Sequence, residues 1–417
     1  MKKSFLSPRQ ILIFITILVC AFFAHLLYGI YRLPDRIYVL AGQEAELSVG
    51  LPISVRYEPE TAAAAGMGDA PVTENIFKDI DEISDSEIRV AFLGVPVKKI
   101  AVDTLPDMEV IPCGKTVGVE ISAQGLMVLG TGSVSGADGQ TYNPSEGKLR
   151  SGDLVLSVNG KEMTARSDFK TAVKDSEGPI EIQIKRDDRI STVFVTPVKS
   201  MEGVNQIGVW FREGTKGIGT VTYYNPENKK FGALGHGIMD VDTKKLISVR
   251  SGKIMESIVT TVKKGKKGSP GELIGEINEN SRLGLIRANT PLGLYGVVSD
   301  ESPALTAGEK MRIGLQGGVH TGPAAIYSNI SGSEVKKYDV YIESVNRFSQ
   351  DETRGMVVRI TDPELLTKTN GIVQGMSGSP IIQDDRVIGA ITHVFVQNPA
   401  KGYGIFIETM IRQERKI

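Results

Sequence analysis

The C-terminal half of the chain consists of short apolar runs separated by glycines. Between residues 200 and 417 these runs are rich in Val, Ile and Thr, as in GIGTVTYY, YDVYIESV and VIGAITHV. Short apolar runs bounded by turn residues predict strands, and their close spacing leaves no room for the crossover helices of a parallel sheet. The pattern therefore predicts an all-β barrel or sandwich for this half of the chain.

A second constraint lies near the N-terminus, where Ile11 to Tyr31 form a continuous apolar segment. About twenty apolar residues span a bilayer as a helix, whereas the apolar core of a signal peptide has usually about 7–15 residues. Lys2, Lys3 and Arg9 precede the segment, and positive charge tends to stay on the cytoplasmic side. We therefore expect a single-pass transmembrane helix with the bulk of the chain exported. A long cleavable signal peptide is the alternative.

The charge balance and the cysteines argue against two other classes of protein. The 48 Lys and Arg residues nearly balance the 49 Asp and Glu residues, so the overall charge gives no reason to expect a nucleic-acid partner. The two cysteines do not make a disulfide framework, because Cys20 lies inside the apolar segment and Cys113 lies far outside it. Hydrophobic cores must therefore supply the stability.

Changes in composition divide the chain into four parts. Residues 1–35 contain the cytoplasmic tail and the anchor, and residues 36–100 contain alternating apolar residues that predict strands. Within the second part, Glu60 to Asn75 is rich in small residues without an apolar period, which predicts an exposed linker. Residues 101–199 and 200–417 are predicted to form two further domains.

The third part shows a regular order of predicted elements. Strands come first, followed by a turn, a strand that ends in an Asn159-Gly160 hairpin signal, a helix and a charged hairpin. The most specific stretch is GKLRSGDLVLSVNG, from Gly147 to Gly160. This order and this stretch resemble a PDZ domain, so residues 101–199 are expected to form a PDZ-like α+β domain.

The PDZ resemblance implies a peptide-binding groove between a strand and the helix, where a peptide is added as an extra strand. The loop that would hold the peptide lies, by the same resemblance, near Cys113 and contains Gly114, Thr116, Val117 and Gly118. A module that only packs on its neighbour is the alternative.

The residues around Ser377 are the clearest indication of chemistry. Six consecutive residues, Gly375 to Pro380, read GMSGSP and are almost all small. A turn needs glycine, but glycines on both sides of one serine also allow a tight backbone that presents a hydroxyl and directs N–H groups at an oxyanion. The stretch therefore indicates either a turn or a nucleophile.

A serine nucleophile needs a base, and the chain offers four histidines. His25 lies inside the apolar segment and is excluded. His236, in GALGHGI, has a glycine on each side, which leaves its imidazole unshielded, and His320 has similar neighbours. His393 lies in an alternating strand and is expected to pack or to form a hydrogen bond.

The carboxylate of a triad is harder to place. Six aspartates lie between His236 and Ser377: Asp240, Asp242, Asp300, Asp339, Asp351 and Asp362. The last of them, Asp362, follows a predicted strand and precedes Pro363, whose ring would hold the turn rigid. An N-cap for the helix PELLTK is the alternative role of Asp362.

The serine stretch, with the apolar residues, the turn and the VIGAIT strand that follow it, resembles the nucleophile segment of trypsin-like proteases. The resemblance implies a trypsin-like double β-barrel peptidase domain. It also implies that Ser377 is the nucleophile, that the N–H groups of Gly375 and Ser377 form the oxyanion hole, and that Ser379 is structural. His236 precedes the serine, as this class requires.

The whole chain resembles the stage IV sporulation protein B family of endospore-forming bacteria. The resemblance is carried by the order of membrane segment, PDZ-like domain, GALGHGI and GMSGSP. The family contains serine peptidases with His, Asp and Ser in that order, which implies a triad of His236, Asp362 and Ser377. The implied reaction is acyl transfer, which requires no metal and no cofactor.

The family's role, implied only by the resemblance, is signalling during sporulation. The protease would be exported from the forespore into the space between the two forespore membranes. There it would cleave itself near its N-terminus, and the linker at Ala62 to Ala65 is one place for that cut. It would also cleave a regulatory membrane subunit of an intramembrane metalloprotease complex, which then processes a late sigma factor precursor. The alternatives are a general envelope quality-control serine protease and a catalytically dead, membrane-anchored peptide-binding scaffold.

Overall fold

The computed structural model describes residues 8–31, 33, 35–40, 54–58, 70–71, 85–92, 95–187, 189–299, 302–347 and 349–417. These residues form two compact units. The first contains the described residues up to Met108 together with Leu315–Gly318 and Asn346–Gln350, and the second contains the remainder.

The first unit contains one helix and a five-stranded sheet with the strand order β1-β5-β4-β2-β3. Its elements are α1 (Pro8–Tyr31), β1 (Arg36–Leu40), β2 (Ser54–Glu58), β3 (Ala70–Pro71), β4 (Asp85–Phe92) and β5 (Val95–Leu105). Within α1, Leu12–Tyr31 is long and apolar enough to cross a membrane, in agreement with the predicted N-terminal helix. Of the predicted linker only β3 is described, and Ala62 to Ala65 lie outside the described residues.

The second unit begins with the PDZ-like part. Its elements are β6 (Glu109–Thr131), β7 (Val134–Ser135), β8 (Thr141–Tyr142), β9 (Leu154–Val158), β10 (Lys161–Glu162), α2 (Arg166–Lys174), β11 (Ile180–Arg186), β12 (Arg189–Val195), β13 (Val198–Lys199) and β14 (Asn205–Gln206). Buried residues from Leu126 to Ile207 form its core. The β9–β10 turn has positive φ at Asn159 (48°) and Gly160 (74°), as a two-residue hairpin turn requires. The predicted α+β order of this part is confirmed.

A first barrel follows the PDZ-like part. Its elements are β15 (Val209–Asn225), β16 (Lys230–Ala233), β17 (Val249–Lys263), β18 (Gly271–Ile277), β19 (Gly284–Thr290), β20 (Gly293–Val298), α3 (Pro303–Thr306) and β21 (Met311–Arg312). Strands β6, β15, β16, β20, β19 and β17 pair in this order, and β17 pairs with β6 again, so the ring of strands closes. Val117, Ile254 and Leu294 are among the buried residues of its core.

The second barrel contains the remaining elements. They are β22 (Gly322–Ser328), β23 (Lys336–Val345), a 3-10 helix (Glu352–Arg354), β24 (Met356–Ile360), α4 (Pro363–Thr369), β25 (Val373–Gln374), β26 (Pro380–Gln383), β27 (Arg386–Phe395), β28 (Asn398–Phe406) and α5 (Ile407–Glu414). The barrel closes in the order β22-β23-β24-β28-β27-β26 around a core that includes Ile326, Val358 and Ile381. The predicted mainly β fold with a double β-barrel is therefore confirmed.

Strand β6 contradicts the predicted peptide groove. Val117 and Gly118 pair with β15 on one side and with β17 on the other. The buried Thr116 hydroxyl donates a hydrogen bond to the Asn329 carbonyl, 2.9 Å away. A strand that is paired on both sides has no free edge for a peptide. The prediction of a groove at Gly114, Thr116, Val117 and Gly118 is therefore wrong, because this stretch is a wall of the first barrel.

Strand β6 lies wholly within the predicted part 101–199. Its 23 residues run through two cores. Val117 and Val119 are buried in the first barrel, whereas Leu126 and Val128 are buried in the PDZ-like part. One continuous strand thus contributes to the cores of both the first barrel and the PDZ-like part.

Candidate active site

His236 lies in the segment that leaves the first barrel after β16. Leu234 and Gly235 both have positive φ, 69° and 68°. A Cβ atom at Gly235 would lie 2.9 Å from side-chain atoms of Thr392 and Ile405, which belong to the second barrel. The glycine therefore allows the segment that carries His236 to lie directly against the second barrel.

The His236 ring is oriented by its own neighbour. Its Nδ1 lies 3.0 Å from the Gly237 carbonyl oxygen. A carbonyl oxygen only accepts, so Nδ1 carries the proton and Nε2 keeps the lone pair that a general base needs. Burial lowers the pKa of His236, and the Gly237 carbonyl opposes that effect. The imidazole is thus held neutral, in the form that accepts a proton.

An asparagine from the first barrel fixes the loop that follows His236. The Asn289 side-chain oxygen accepts the Ile238 N–H at 2.8 Å. Its amide nitrogen donates to the carbonyl oxygens of Ile238 and Ile247, at 2.8 and 2.9 Å. The Asn289 side chain therefore makes three hydrogen bonds to this loop, two of them to the backbone of Ile238, two residues beyond His236.

An arginine binds both aspartates of the same loop. Arg212 contacts the carboxylates of Asp240 and Asp242, each at 2.6 Å. Asp240 is 2% exposed and also accepts the N–H groups of Asp242 and Thr243. These two candidates for the triad carboxylate are thus engaged by Arg212 and by the loop backbone.

Ser377 lies in the second barrel, in the tight loop between β25 and β26. Gly375 and Gly378 have φ values of 99° and 98°, a region that favours glycine. Backbone hydrogen bonds close the loop: Met376 N–H to Val373 O (3.1 Å), Gly378 N–H to Ile391 O (2.7 Å) and Ser379 N–H to Met376 O (2.9 Å). Ser379 is fully buried and bonds to Ser328, consistent with a structural role.

The Ser377 loop packs on the segment that leads to His236. A Cβ atom at Gly378 would lie 2.1 Å from the Thr220 carbonyl oxygen and 2.6 Å from the Leu234 nitrogen. The Thr220 N–H also donates to the Ser377 carbonyl oxygen at 3.3 Å. The structure thus brings together the two segments that carry the predicted base and the predicted nucleophile.

The polar groups of the serine loop are partly free. The Ser377 hydroxyl donates to the Thr392 carbonyl oxygen at 2.6 Å. Within the described ranges no hydrogen bond joins Ser377 to His236, and the N–H groups of Gly375 and Ser377 donate to no other described residue. Hydrogen bonds between catalytic groups are often loose without substrate.

Asp362 caps a helix. Its carboxylate accepts the Leu365 N–H at 2.8 Å, at the start of α4. Over the part of the chain that the structure describes, no hydrogen bond links Asp362 to a histidine. The N-cap role is therefore observed, and the triad role of Asp362 stays a prediction. Asp300 lies outside the described residues, and Asp339 is exposed on β23.

His320 is occupied elsewhere. It is exposed, its Nδ1 faces the Thr321 carbonyl at 3.1 Å, and its Nε2 lies 2.9 Å from the Asp384 carboxylate. The Thr321 carbonyl and then Asp384 raise the pKa of His320. Neither partner belongs to the Ser377 loop.

His393 is the residue of the site that sequence reasoning missed. Its ring centroid lies 4.9 Å from that of His236, and the two planes are inclined by 36°. It follows Thr392 on β27, the strand whose Thr392 carbonyl binds the Ser377 hydroxyl. No local signal in VIGAITHV indicates this contact, because it depends on how the two barrels meet. Among the described residues, no cluster of three or more His, Cys, Asp or Glu side chains could hold a metal ion.

Comparison with known proteins gives a family and three more distant likenesses. The model of the family described as SpoIVB peptidase S55 matches residues 203–411, half of the chain. The Regulator of sigma-W protease RasP of Bacillus subtilis is 31% identical over 114 residues, which are 27% of this chain and 25% of RasP. The chain therefore spans about a quarter of the length of that relative.

Two solved structures are similar to parts of the chain. The PDZ domain of the SdrC-like protein from Listeria monocytogenes is 19% identical, with 21% of this chain and 87% of that chain covered and a TM-score of 0.17. The HtrA-type protease AlgW with a decapeptide is 12% identical, with 49% of this chain and 54% of that chain covered and a TM-score of 0.28.

Proposed function

Because this chain belongs to the SpoIVB peptidase S55 family, we propose that it is a serine endopeptidase with Ser377 as nucleophile and His236 as general base. The observation that carries the proposal is the contact between the two segments. Gly378, next to Ser377, leaves no room for a Cβ atom against Leu234, two residues before His236. This proximity, with an imidazole held neutral, is what activation of a serine hydroxyl requires.

The reaction begins when the Ser377 hydroxyl leaves the Thr392 carbonyl and turns toward Nε2 of His236. Nε2 takes the proton as Oγ attacks a peptide carbonyl carbon, and the N–H groups of Gly375 and Ser377 receive the oxyanion. The imidazolium then protonates the leaving amine and an acyl-enzyme remains. Water, deprotonated by His236, hydrolyses the ester and restores Ser377.

Asp362 is our proposal for the carboxylate of the triad, from the family order of His, Asp and Ser. Its carboxylate accepts the Leu365 N–H through Oδ1, which leaves Oδ2 to approach His236. Until it does so, the Gly237 carbonyl is the partner of Nδ1.

The biological role that we propose is signalling during sporulation, supported by the family membership and by the apolar helix Leu12–Tyr31. The peptidase would be anchored by this helix, exported into the space between the forespore membranes and released by self-cleavage. Its substrate would be the regulatory membrane subunit of an intramembrane metalloprotease complex that processes a late sigma factor precursor. A panel of unfolded proteins tests this role, since broad digestion would instead indicate a quality-control protease.

The nucleophile is tested by Ser377→Ala, with Ser379→Ala as the matched control. We expect Ser377→Ala to lower kcat by about 10⁶-fold and to abolish labelling by a fluorophosphonate, because no other hydroxyl occupies its place. Ser379→Ala removes a buried hydroxyl two residues away and should keep the label. Labelling of a folded Ser377→Ala protein at the parental rate would contradict the proposal and favour another nucleophile.

A further inference from the structure

The second histidine of the site has a defined geometry. The ring centroids of His236 and His393 lie 4.9 Å apart, a separation typical of aromatic rings in contact, and their planes are inclined by 36°. His393 also directly follows Thr392, which binds the Ser377 hydroxyl. The same short piece of β27 thus contacts both the base and the nucleophile.

A hydrogen-bonded chain fixes this piece of β27. The Thr392 hydroxyl donates to the Thr353 carbonyl oxygen at 2.7 Å, and the Thr353 hydroxyl donates to the Asp351 carboxylate at 2.6 Å. Asp351 also pairs with Arg354 at 2.9 Å. The strand that presents His393 is therefore bound to the 3-10 helix beside it.

The charged groups near His393 are His236, Asp351 and Arg354. Desolvation by the surrounding protein, then the neighbouring His236 and Arg354, together lower the pKa of His393 to about 4, and Asp351 opposes them. The His393 ring is therefore uncharged over the pH range in which a histidine base works. Two imidazoles at this separation cannot both be cations without strong repulsion.

We propose that His393 is a positioning residue for His236, whose ring packs against the imidazole, restricts its rotation and stabilises the imidazolium that forms during acyl transfer. The proposal rests on the proposed function of His236 as general base. An aromatic contact of this kind corresponds to about a 2- to 10-fold effect on rate. His393 acts through His236 and touches no reacting atom.

Three substitutions separate positioning from simple packing. His393→Phe keeps an uncharged ring and should retain kcat within about 3-fold, whereas His393→Ala should lower kcat about 2- to 10-fold with KM unchanged. His393→Lys places a permanent cation beside His236. It should lower kcat most and move the acidic limb of kcat/KM to lower pH, since a nearby positive charge lowers the pKa of an imidazole.

An NMR titration of the histidine rings, in the Ser377→Ala background, tests the contact between His236 and His393 independently of peptidase activity. We expect the His236 pKa to be lower with Lys at position 393 than with His or Phe. If the His236 titration and kcat are the same in all folded variants, the inference is overturned and His393 only packs. If the parental protein does not react with fluorophosphonate, the proposed function itself fails, and the titration still reports whether the two rings are coupled.

Discussion

The two barrels hold their catalytic segments by different means. The Ser377 loop of the second barrel is closed by hydrogen bonds between backbone groups and by glycines at positive φ. The His236 loop of the first barrel also has backbone hydrogen bonds, such as Gly237 N–H to Pro291 O and Asp240 N–H to Lys245 O, and in addition it is bound by the side chains of Asn289 and Arg212. Backbone groups and glycines thus hold the Ser377 loop, whereas the His236 loop depends on two distant side chains as well.

The two loops should therefore tolerate amino-acid substitutions differently. A backbone-closed loop depends on the few glycines that permit its conformation, and most side-chain changes nearby leave it intact. A loop held by side chains depends on each partner, because every lost partner leaves a buried polar group without its hydrogen bond. Substitutions in the two barrels should therefore act through different residues.

Among the changes that bear on this comparison, the largest effect is expected at Asp362, which would supply a carboxylate from the second barrel to His236. Asp362→Asn should lower kcat by about 10⁴-fold if Asp362 orients His236, because an amide cannot stabilise the imidazolium. Asn caps helices about as well as Asp, so the stability should not change. The measurement is kcat on a peptide substrate, alongside the urea unfolding transition.

Asp362→Ala is the matched variant, since it removes the N-cap as well and should cost about 1 kcal/mol of stability. A kcat for Asp362→Asn within tenfold of the parental value would show that Asp362 only caps α4. His236 would then be oriented without a carboxylate, and the two barrels would differ further in how they hold the Ser377 and His236 loops.

A substitution at Gly378 should disrupt the Ser377 loop. Gly378→Ala places a Cβ atom 2.1 Å from the Thr220 carbonyl oxygen at a φ of 98°. We expect a loss of about 3 kcal/mol or more and a loss of activity. Gly268→Ala is the control, because Gly268 has a φ of 81° with nothing within 4 Å, so only the backbone strain of about 1–2 kcal/mol applies. Equal costs for the two variants in urea unfolding would contradict the close packing.

The smallest expected effect concerns the ion pairs that Arg212 makes with Asp240 and Asp242 in the His236 loop. Asp240→Asn removes the charge of a buried partner of Arg212 and should cost about 2 kcal/mol. Asp242 is 51% exposed and pairs with the same arginine, so Asp242→Asn should cost less than about 1 kcal/mol. Urea unfolding of both variants measures the loss of stability. A larger loss for Asp242→Asn would contradict the conclusion that Asp240 is the more important partner of Arg212.

The pH dependence of the free energy of unfolding gives an independent check of the Asp240–Arg212 ion pair. Burial raises the pKa of Asp240, but the Thr243 N–H and Arg212 more than offset it, so the pKa is lowered overall. A lowered folded-state pKa stabilises the protein above the unfolded value of about 3.9, and this contribution is lost as the pH falls through the folded value. Asp240→Asn should therefore reduce the loss of stability on acidification.

Features that depend on neighbouring residues could be predicted before the fold was known. The glycine turns and short apolar runs predicted the strands of the second barrel, Asn159-Gly160 predicted the β9–β10 turn, and GMSGSP predicted a tight loop around Ser377. In each case the conformation is set by backbone preferences over a few residues, which the local sequence states directly.

Features that join distant residues are apparent only in the folded protein. It placed β6 in two cores, put Gly114 to Gly118 inside a barrel, bound Asp240 to Arg212 and set His393 against His236. These contacts depend on which strands pair and how the barrels pack. A short stretch of sequence does not show whether its strand has one neighbouring strand or two. For that reason the tight loop around Ser377 could be predicted from the sequence, whereas the surroundings of His236 could not.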